Sequence, residues 1–179
     1  MLQNAHIPII GFAAYSGTGK TTLLMRLMPL LEGHGLRVGV VKHAHHEFEI
    51  DKQGKDSYEL RMAGASQMLI ASRKRWALMV ERELACEPQL DDVLLDLEQG
   101  SLDLILVEGF KHEQFPKIEL HRQALHAPLM YQKDSNIIAI ASDADLPEAL
   151  GLPVLDLNQP QQIATYIVDR IVNIVAPPH

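Results

Sequence analysis

Hydrophobic residues along this chain gather in two alternating kinds of segment. Short apolar runs predict strands at residues 7–14, 37–42, 67–71, 76–80, 103–108, 117–121, 136–141 and 153–157, several of them continuous β-branched or Leu runs of the kind buried on both faces. Between several of them, apolar positions recur at helical spacing over 20–32, 56–63, 90–98 and 159–175, the last carrying Ile163, Ile167, Ile171 and Ile174 on one stripe. Gly33 and Gly35 stop the first of these helices, and Pro88 precedes the third. Pro29 sits inside the first helix, where its missing N–H and the clash of its ring with the preceding turn predict a kink. Strands alternating with helices mark an α/β fold, a doubly wound and mostly parallel sheet with helices on both faces. One pair of runs departs from that pattern. Segments 67–71 and 76–80 are separated only by Ser72, Arg73, Lys74 and Arg75, too few residues for a crossover, and so predict an antiparallel hairpin inserted into the parallel sheet.

Composition narrows the function classes. At 179 residues, 47% hydrophobic and 22% charged, the chain has the length and apolar content of a single domain over 1–179, with no internal repeat or low-complexity stretch. Lys and Arg number 16 against 23 Asp and Glu, a net charge of −7, which argues against a nucleic-acid partner or an anionic membrane surface. The single cysteine, Cys86, excludes an internal disulfide and a multi-thiolate metal site, in keeping with a reducing cytoplasm. The apolar run 7–14 is too short to span a bilayer and has no cationic leader before it, so a cytoplasmic protein with no membrane partner is expected.

The densest chemistry follows the first strand: Ala14, Tyr15, Ser16, Gly17, Thr18, Gly19, Lys20, Thr21 and Thr22, set between a buried strand and an amphipathic helix. Gly17 and Gly19 let such a loop curl with its amides inward, and the following helix adds its positive N-terminal end, so residues 16–22 predict a polyphosphate cradle of the P-loop NTPase kind. Lys20 is expected on the β and γ phosphates and Thr21 on Mg²⁺. Ala14 replaces the first glycine of the strict motif by another small residue. A nucleotide loop also needs a carboxylate at the same sheet edge. Glu108 ends an apolar strand there, whereas Asp103 begins it, roughly 16 Å away at about 3.3 Å per residue. Glu108 is therefore the expected outer-shell metal residue, reaching Mg²⁺ through a water.

Guanine offers two adjacent donors that one carboxylate accepts together. The usual guanine signature is Asn-Lys-x-Asp after a late strand; here that place holds Ser142, Asp143, Ala144 and Asp145, which keeps only the final acid. Asp145 is the candidate base reader, with a cap for the turn into Leu146 and Pro147 as the competing reading. After the second strand, Lys42, His43, Ala44, His45 and His46 lie close to Asp51, Lys55, Asp56 and Ser57. No Cys or His pair is spaced to complete a zinc site, which leaves contact with a phosphate or acidic substrate and a plain solvated loop as the readings.

Taken together, the G-T-G-K-T-T loop, V-K-H-x-H-H after the second strand, the run Asp51, Gly54, Lys55, Asp56, Ser57, the triplet Ala63, Gly64, Ala65, and I-L-V-E-G-F-K from Ile105 to Lys111 resemble the MobB family of molybdopterin-guanine dinucleotide biosynthesis proteins. The similarity covers roughly residues 7–157. It implies a homodimeric GTP-binding adapter, working with Mg²⁺, that assists the molybdopterin guanylyltransferase MobA in joining GMP to molybdopterin. The implied GTPase is slow at most, since no glutamine or arginine finger is identifiable; Lys20, Asp51 and Glu108 are the catalytic candidates. Arg73, Lys74 and Arg75 at the hairpin tip serve either as contacts for an anionic cofactor or partner, or as a solubilising turn. The rival function is a P-loop small-molecule kinase with these three residues as its lid, distinguished by transfer of the γ-phosphate to a hydroxyl compound.

Overall fold

The computed structural model describes residues 2–44, 48–82, 87–147 and 151–173; His45, His46, Cys86 and the end of the last expected helix, with Ile174, lie outside the described residues. Two compact units emerge, Met1–His43 together with Pro88–His179, and Ala44–Glu87.

The first unit is built on a six-stranded sheet of β1 (Ile9–Ala14), β2 (Val38–Lys42), β5 (Leu104–Glu108), β6 (Lys117–His121), β7 (Ile137–Ser142) and β8 (Val154–Asp156), in the order β2-β5-β1-β6-β7-β8. All neighbouring pairs are parallel, so every strand ends on the same edge. Alternate residues divide between two cores. Ile10, Phe12, Leu104, Leu106, Ile118 and Leu120 pack with Leu23, Leu27 and Leu31 of α1 (Lys20–Gly33) and with Ile163, Ala164 and Ile167 of α4 (Pro160–Ile167). On the opposite face Val41, Ile105 and Val107 meet Leu90 of α3 (Leu90–Val93), Leu94, Phe110 and Phe115. The doubly wound, mostly parallel α/β architecture expected of the apolar pattern is thus present.

Helices show where local pattern and tertiary structure part. α1 runs through Pro29, which stands exposed while Leu27 and Leu31 face the core. The expected helix over 90–98 is only one α turn followed by 3₁₀ turns at Leu94–Asp96 and Gln99–Ser101. Gln99 explains the break: its buried amide donates to Leu94 O at 2.9 Å, taking the carbonyl a continuing helix would use, and to Asn4 O at 2.8 Å, while its oxygen accepts from His6 N at 2.9 Å. α4 passes into a π-helical stretch at Val168–Val172, which brings Val172 into the core beside Ile171.

β6 carries two buried charges on the second face. Lys117, 2% exposed, donates from Nζ to Lys111 O (3.0 Å), Glu113 O (2.7 Å) and Asp134 Oδ2 (2.8 Å). Glu119 accepts from Met130 N (2.6 Å) and Tyr131 N (2.8 Å), and burial pushes its carboxyl above the ordinary range. These two residues tie the segments before and after β6 to the sheet.

At the other end of the sheet, Arg37 and Asp103 clamp the starts of β2 and β5. Arg37 donates to the Asp103 carboxylate from N (2.8 Å), Nε (2.9 Å) and Nη2 (2.9 Å), and Asp103 N returns a bond to Arg37 O at 2.8 Å. The Arg37 hydrogen bonds hold the Asp103 carboxyl down to about 2. Since that folded value lies below the unfolded one of about 3.9, the clamp stabilises the fold above roughly pH 4 and is lost as pH falls toward 2. Urea midpoints measured between pH 5 and pH 2 should therefore fall less steeply for Asp103→Asn than for wild type; parallel curves would show that the clamp contributes nothing.

The second unit holds α2 (Asp56–Met62) and the antiparallel hairpin of β3 (Gln67–Ala71) and β4 (Trp76–Val80), in the register Leu69↔Leu78 and Ala71↔Trp76. The hairpin is inserted in sequence between β2 and β5 and forms its own two-stranded sheet, while β5 takes the place beside β2. Ser72 closes its turn, its N donating to Arg75 O at 2.8 Å and its Oγ accepting from Arg75 N at 3.2 Å.

Candidate phosphate-binding site

The chain leaves β1 at Ala14 and enters α1 at Lys20 through a loop that only glycine can turn: Gly17 has φ +81° and Gly19 φ +95°. Thr18 is buried, its Oγ1 (2.8 Å) and N (3.3 Å) both donating to Tyr15 O. The first helical bond is Leu23 N to Gly19 O at 2.9 Å, and no side chain caps the helix. The N–H groups of Gly17, Gly19, Lys20, Thr21 and Thr22 donate to no acceptor among the described residues. Unpaired amides around a helix start are the geometry that anion binding requires. Ser16, Thr21 and Thr22 stand exposed on it.

Parallel register brings Glu108 to this loop, since it pairs with Phe12 on one side and Lys42 on the other. Lys20 Nζ lies 3.6 Å from Glu108 Oε1, with the two side chains 25% and 15% exposed, and Lys42 Nζ lies 3.8 Å from Oε2. Beyond Glu108 the chain turns sharply at Gly109, φ +94°, where a Cβ would stand 2.6 Å from that of His43. His43 N donates to Glu108 O at 2.8 Å, and its ring lies 4.9 Å from that of Phe110. The V-E-G-F segment is thus shaped by close approach to the strand that carries Lys42 and His43.

On the other side of β1, Arg122 straps two loops together. It follows β6, donates from Nε to Thr18 O (3.1 Å) and from Nη1 to Asp143 Oδ2 (3.0 Å), while Asp143 Oδ1 accepts from Gln123 N (2.8 Å). Asp143 is therefore engaged in structure. Asp145 is exposed, makes no hydrogen bond or ion pair among the described residues, and lines an open cavity of about 800 Å³ with Ser142, Asp156, Asn158 and Gln162. The turn before it is made by Ser142, whose Oγ donates to Ala144 O (2.9 Å) and accepts from Ala144 N (3.1 Å).

Asp51 belongs to the second unit. Its carboxylate accepts from Arg61 Nη2 at 2.8 Å, and that guanidinium also bonds Glu49 and Glu81. The Arg61 hydrogen bond holds the Asp51 carboxyl below its ordinary value, which makes it a weak base at neutral pH. Arg122 lies outside the expected site residues, and Lys42 enters them only as the start of the histidine run. Each sits at or just after a strand end on the ligand edge of the sheet, a positional signal that exists in the sequence only once the parallel order is known.

A parallel sheet whose central strand feeds a glycine-rich loop and helix, with an acid on the adjacent strand meeting the loop lysine, defines an α/β protein of the P-loop NTPase type. The chain belongs to the MobB family, described as molybdopterin guanine dinucleotide synthesis protein B, whose family model matches residues 9–143. It is 49% identical over 170 residues to the molybdopterin-guanine dinucleotide biosynthesis adapter protein of Escherichia coli, covering 94% of this chain and 96% of that one. The adapter protein of the same name from Haemophilus influenzae is 42% identical over 167 residues, with 93% and 91% covered. A crystal structure of Bacillus subtilis MobB superposes with a TM-score of 0.69 at 27% identity, covering 92% of this chain and 98% of that one. Among the described residues no helix is long and apolar enough to cross a membrane.

Proposed function

We propose that this protein is a cytoplasmic adapter of molybdopterin-guanine dinucleotide biosynthesis that binds GTP with Mg²⁺ on residues 16–22 and assists the guanylyltransferase MobA. The observation that carries the nucleotide part is the set of amides of Gly17, Gly19, Lys20, Thr21 and Thr22, unpaired among the described residues, beside the Lys20–Glu108 pair. The adapter part is supported by the names of relatives matched over nearly the whole chain. In this reading Lys20 holds the β and γ phosphates, the Thr21 hydroxyl ligates Mg²⁺, and Glu108 reaches the ion through water. Hydrolysis is slow in this reading, because Arg122, the arginine bonded to the loop, is already held by Thr18 and Asp143. Adding the protein to purified guanylyltransferase, molybdopterin and limiting GTP should raise the yield of guanylylated cofactor; no stimulation would overturn the adapter role.

Asp145 is the proposed guanine reader. Asn in its place would present a donor where guanine N2–H₂ needs an acceptor and would suit xanthine instead. Because the pocket is open, Asp145→Asn should cost about 1.4–2.8 kcal/mol, or roughly 10- to 100-fold in GTP affinity, with a matching gain for xanthosine triphosphate. Calorimetry giving equal GTP affinities for variant and wild type would leave Asp145 as a turn cap.

A homodimer is the proposed assembly. One face of the hairpin carries Leu69, Trp76, Leu78 and Val80, all exposed, with Leu69 at 59% and Trp76 at 64%. An unpaired two-stranded ribbon with an apolar face favours a second copy that covers it. Light scattering should give twice the 20.0 kDa of one chain, and Trp76→Glu should reduce the mass toward one chain; a wild-type mass of one chain at all concentrations would exclude the dimer.

A further inference from the structure

A second cavity, of about 390 Å³, opens in the first unit beside the end of β1 and the loop residue Tyr15. Lys111, His112 and Lys133 are exposed along it, and Lys117 forms part of its wall. The charge of Lys117 is matched by Asp134 at 2.8 Å. Neither Lys111 nor Lys133 has a carboxylate within ion-pair distance among the described residues, although the chain as a whole carries a net charge of −7. Two unmatched ammonium groups and an imidazole on one small concavity of an acidic protein are the signature of an anion site. Part of the remaining lining suits a flat ring, with apolar surface from Ala13, Pro128, Leu129 and Met130 and an aromatic one from Tyr15, while Gln114, Ser135, Asn136 and the Lys117-paired Asp134 add polar groups that a ring's amide and amino edge can bond. Tyr15 O also holds Thr18 of the phosphate cradle, so one residue borders both sites.

We propose that this cavity binds a phosphorylated pterin, its phosphate on Lys111 and Lys133 and its ring against Tyr15, Leu129 and Met130. The assignment of molybdopterin as that pterin rests on the adapter reading above. Lys117 anchors the wall from behind through Lys111 O and Glu113 O and keeps the cavity's shape without itself needing the ligand's charge.

The test uses the full-length protein, molybdopterin followed by its own fluorescence, and GTP followed by calorimetry. Lys111→Ala with Lys133→Ala should weaken molybdopterin binding on the order of 10- to 50-fold while GTP affinity stays within about twofold; both lysines are exposed, so the melting temperature should hold. Neopterin, which has the ring without phosphate, should bind weakly to both proteins, and inorganic phosphate should displace molybdopterin only at far higher concentration. Unchanged molybdopterin affinity in the double variant overturns the site. Inorganic phosphate competing as well as molybdopterin overturns the pterin assignment. A wild type that stimulates guanylylation yet binds no molybdopterin overturns the site alone, whereas one that neither binds it nor stimulates overturns the site and the adapter reading together.

Discussion

Lys20→Ala is expected to weaken GTP binding by roughly 150- to 25,000-fold while leaving the protein folded. The estimate follows from two charge-assisted contacts, one to each of the β and γ phosphates, at about 1.5–3 kcal/mol apiece. A second effect acts in the same direction. Glu108 is balanced by Lys20 at 3.6 Å and Lys42 at 3.8 Å, and loss of Lys20 leaves a carboxylate with half its compensation facing the triphosphate. Stability should hold because Lys20 opens α1 without capping it, and the buried residues of that helix are Leu23, Leu27 and Leu31. Calorimetry with GTP and Mg²⁺, run beside a thermal melt, decides the matter. Equal affinities in variant and wild type would remove the loop from the nucleotide site, and a collapsed melt would show that the lysine is structural. Glu108→Gln supplies the complementary measurement: it should leave binding of Mg²⁺-free GTP near wild type and reduce the dependence on added Mg²⁺.

Features carried by short contiguous segments were legible in the sequence. The eight strands, the G-T-G-K-T-T loop and the hairpin each depend on local period and turn chemistry, and all appear where those dictate. Glu108 was legible for the same reason, because strand direction alone separates it from Asp103 at the start of the same strand. What stayed hidden depends on partners distant in sequence. Nothing in 90–98 foretells that Gln99 will capture Leu94 O while also bonding residues Asn4 and His6. K-I-E-L-H in β6 alternates like a half-exposed strand, yet Lys117 and Glu119 are buried because segments near 111 and 130 close over them. Asp51 reads as a free acid near a histidine loop; folded, it is held by Arg61. Arg122 has no motif at all, and only the order β1-β6-β7 makes it a strap between Thr18 and Asp143.

Lys117→Met should be the most destabilising single substitution of a polar residue in the sheet, at about 3 kcal/mol or more, a large part of the 5–15 kcal/mol typical of a domain. Methionine keeps the stem's volume beside Gly11 and Phe115, so the loss isolates the ammonium group. Three acceptors lose their donor at once: Lys111 O, Glu113 O and Asp134 Oδ2. At Asp134, burial works to raise the carboxyl, and the Lys117 and Asn136 hydrogen bonds outweigh it and hold the group below its ordinary value. Without Lys117 only the Asn136 hydrogen bonds oppose burial, and the folded value rises relative to wild type. The wild-type carboxyl, held low, contributes stability above the unfolded value of about 3.9 that is lost as pH falls through the folded one. The variant lacks part of it, so its deficit relative to wild type should be larger at pH 8 than at pH 4. Adding Asp134→Asn removes the stranded charge and should recover about 1–2 kcal/mol, a coupling readable from a double-mutant cycle in urea. Additive losses with no dependence on pH would show that the Lys117–Asp134 pair is incidental and that the loops flanking β6 are held by packing alone.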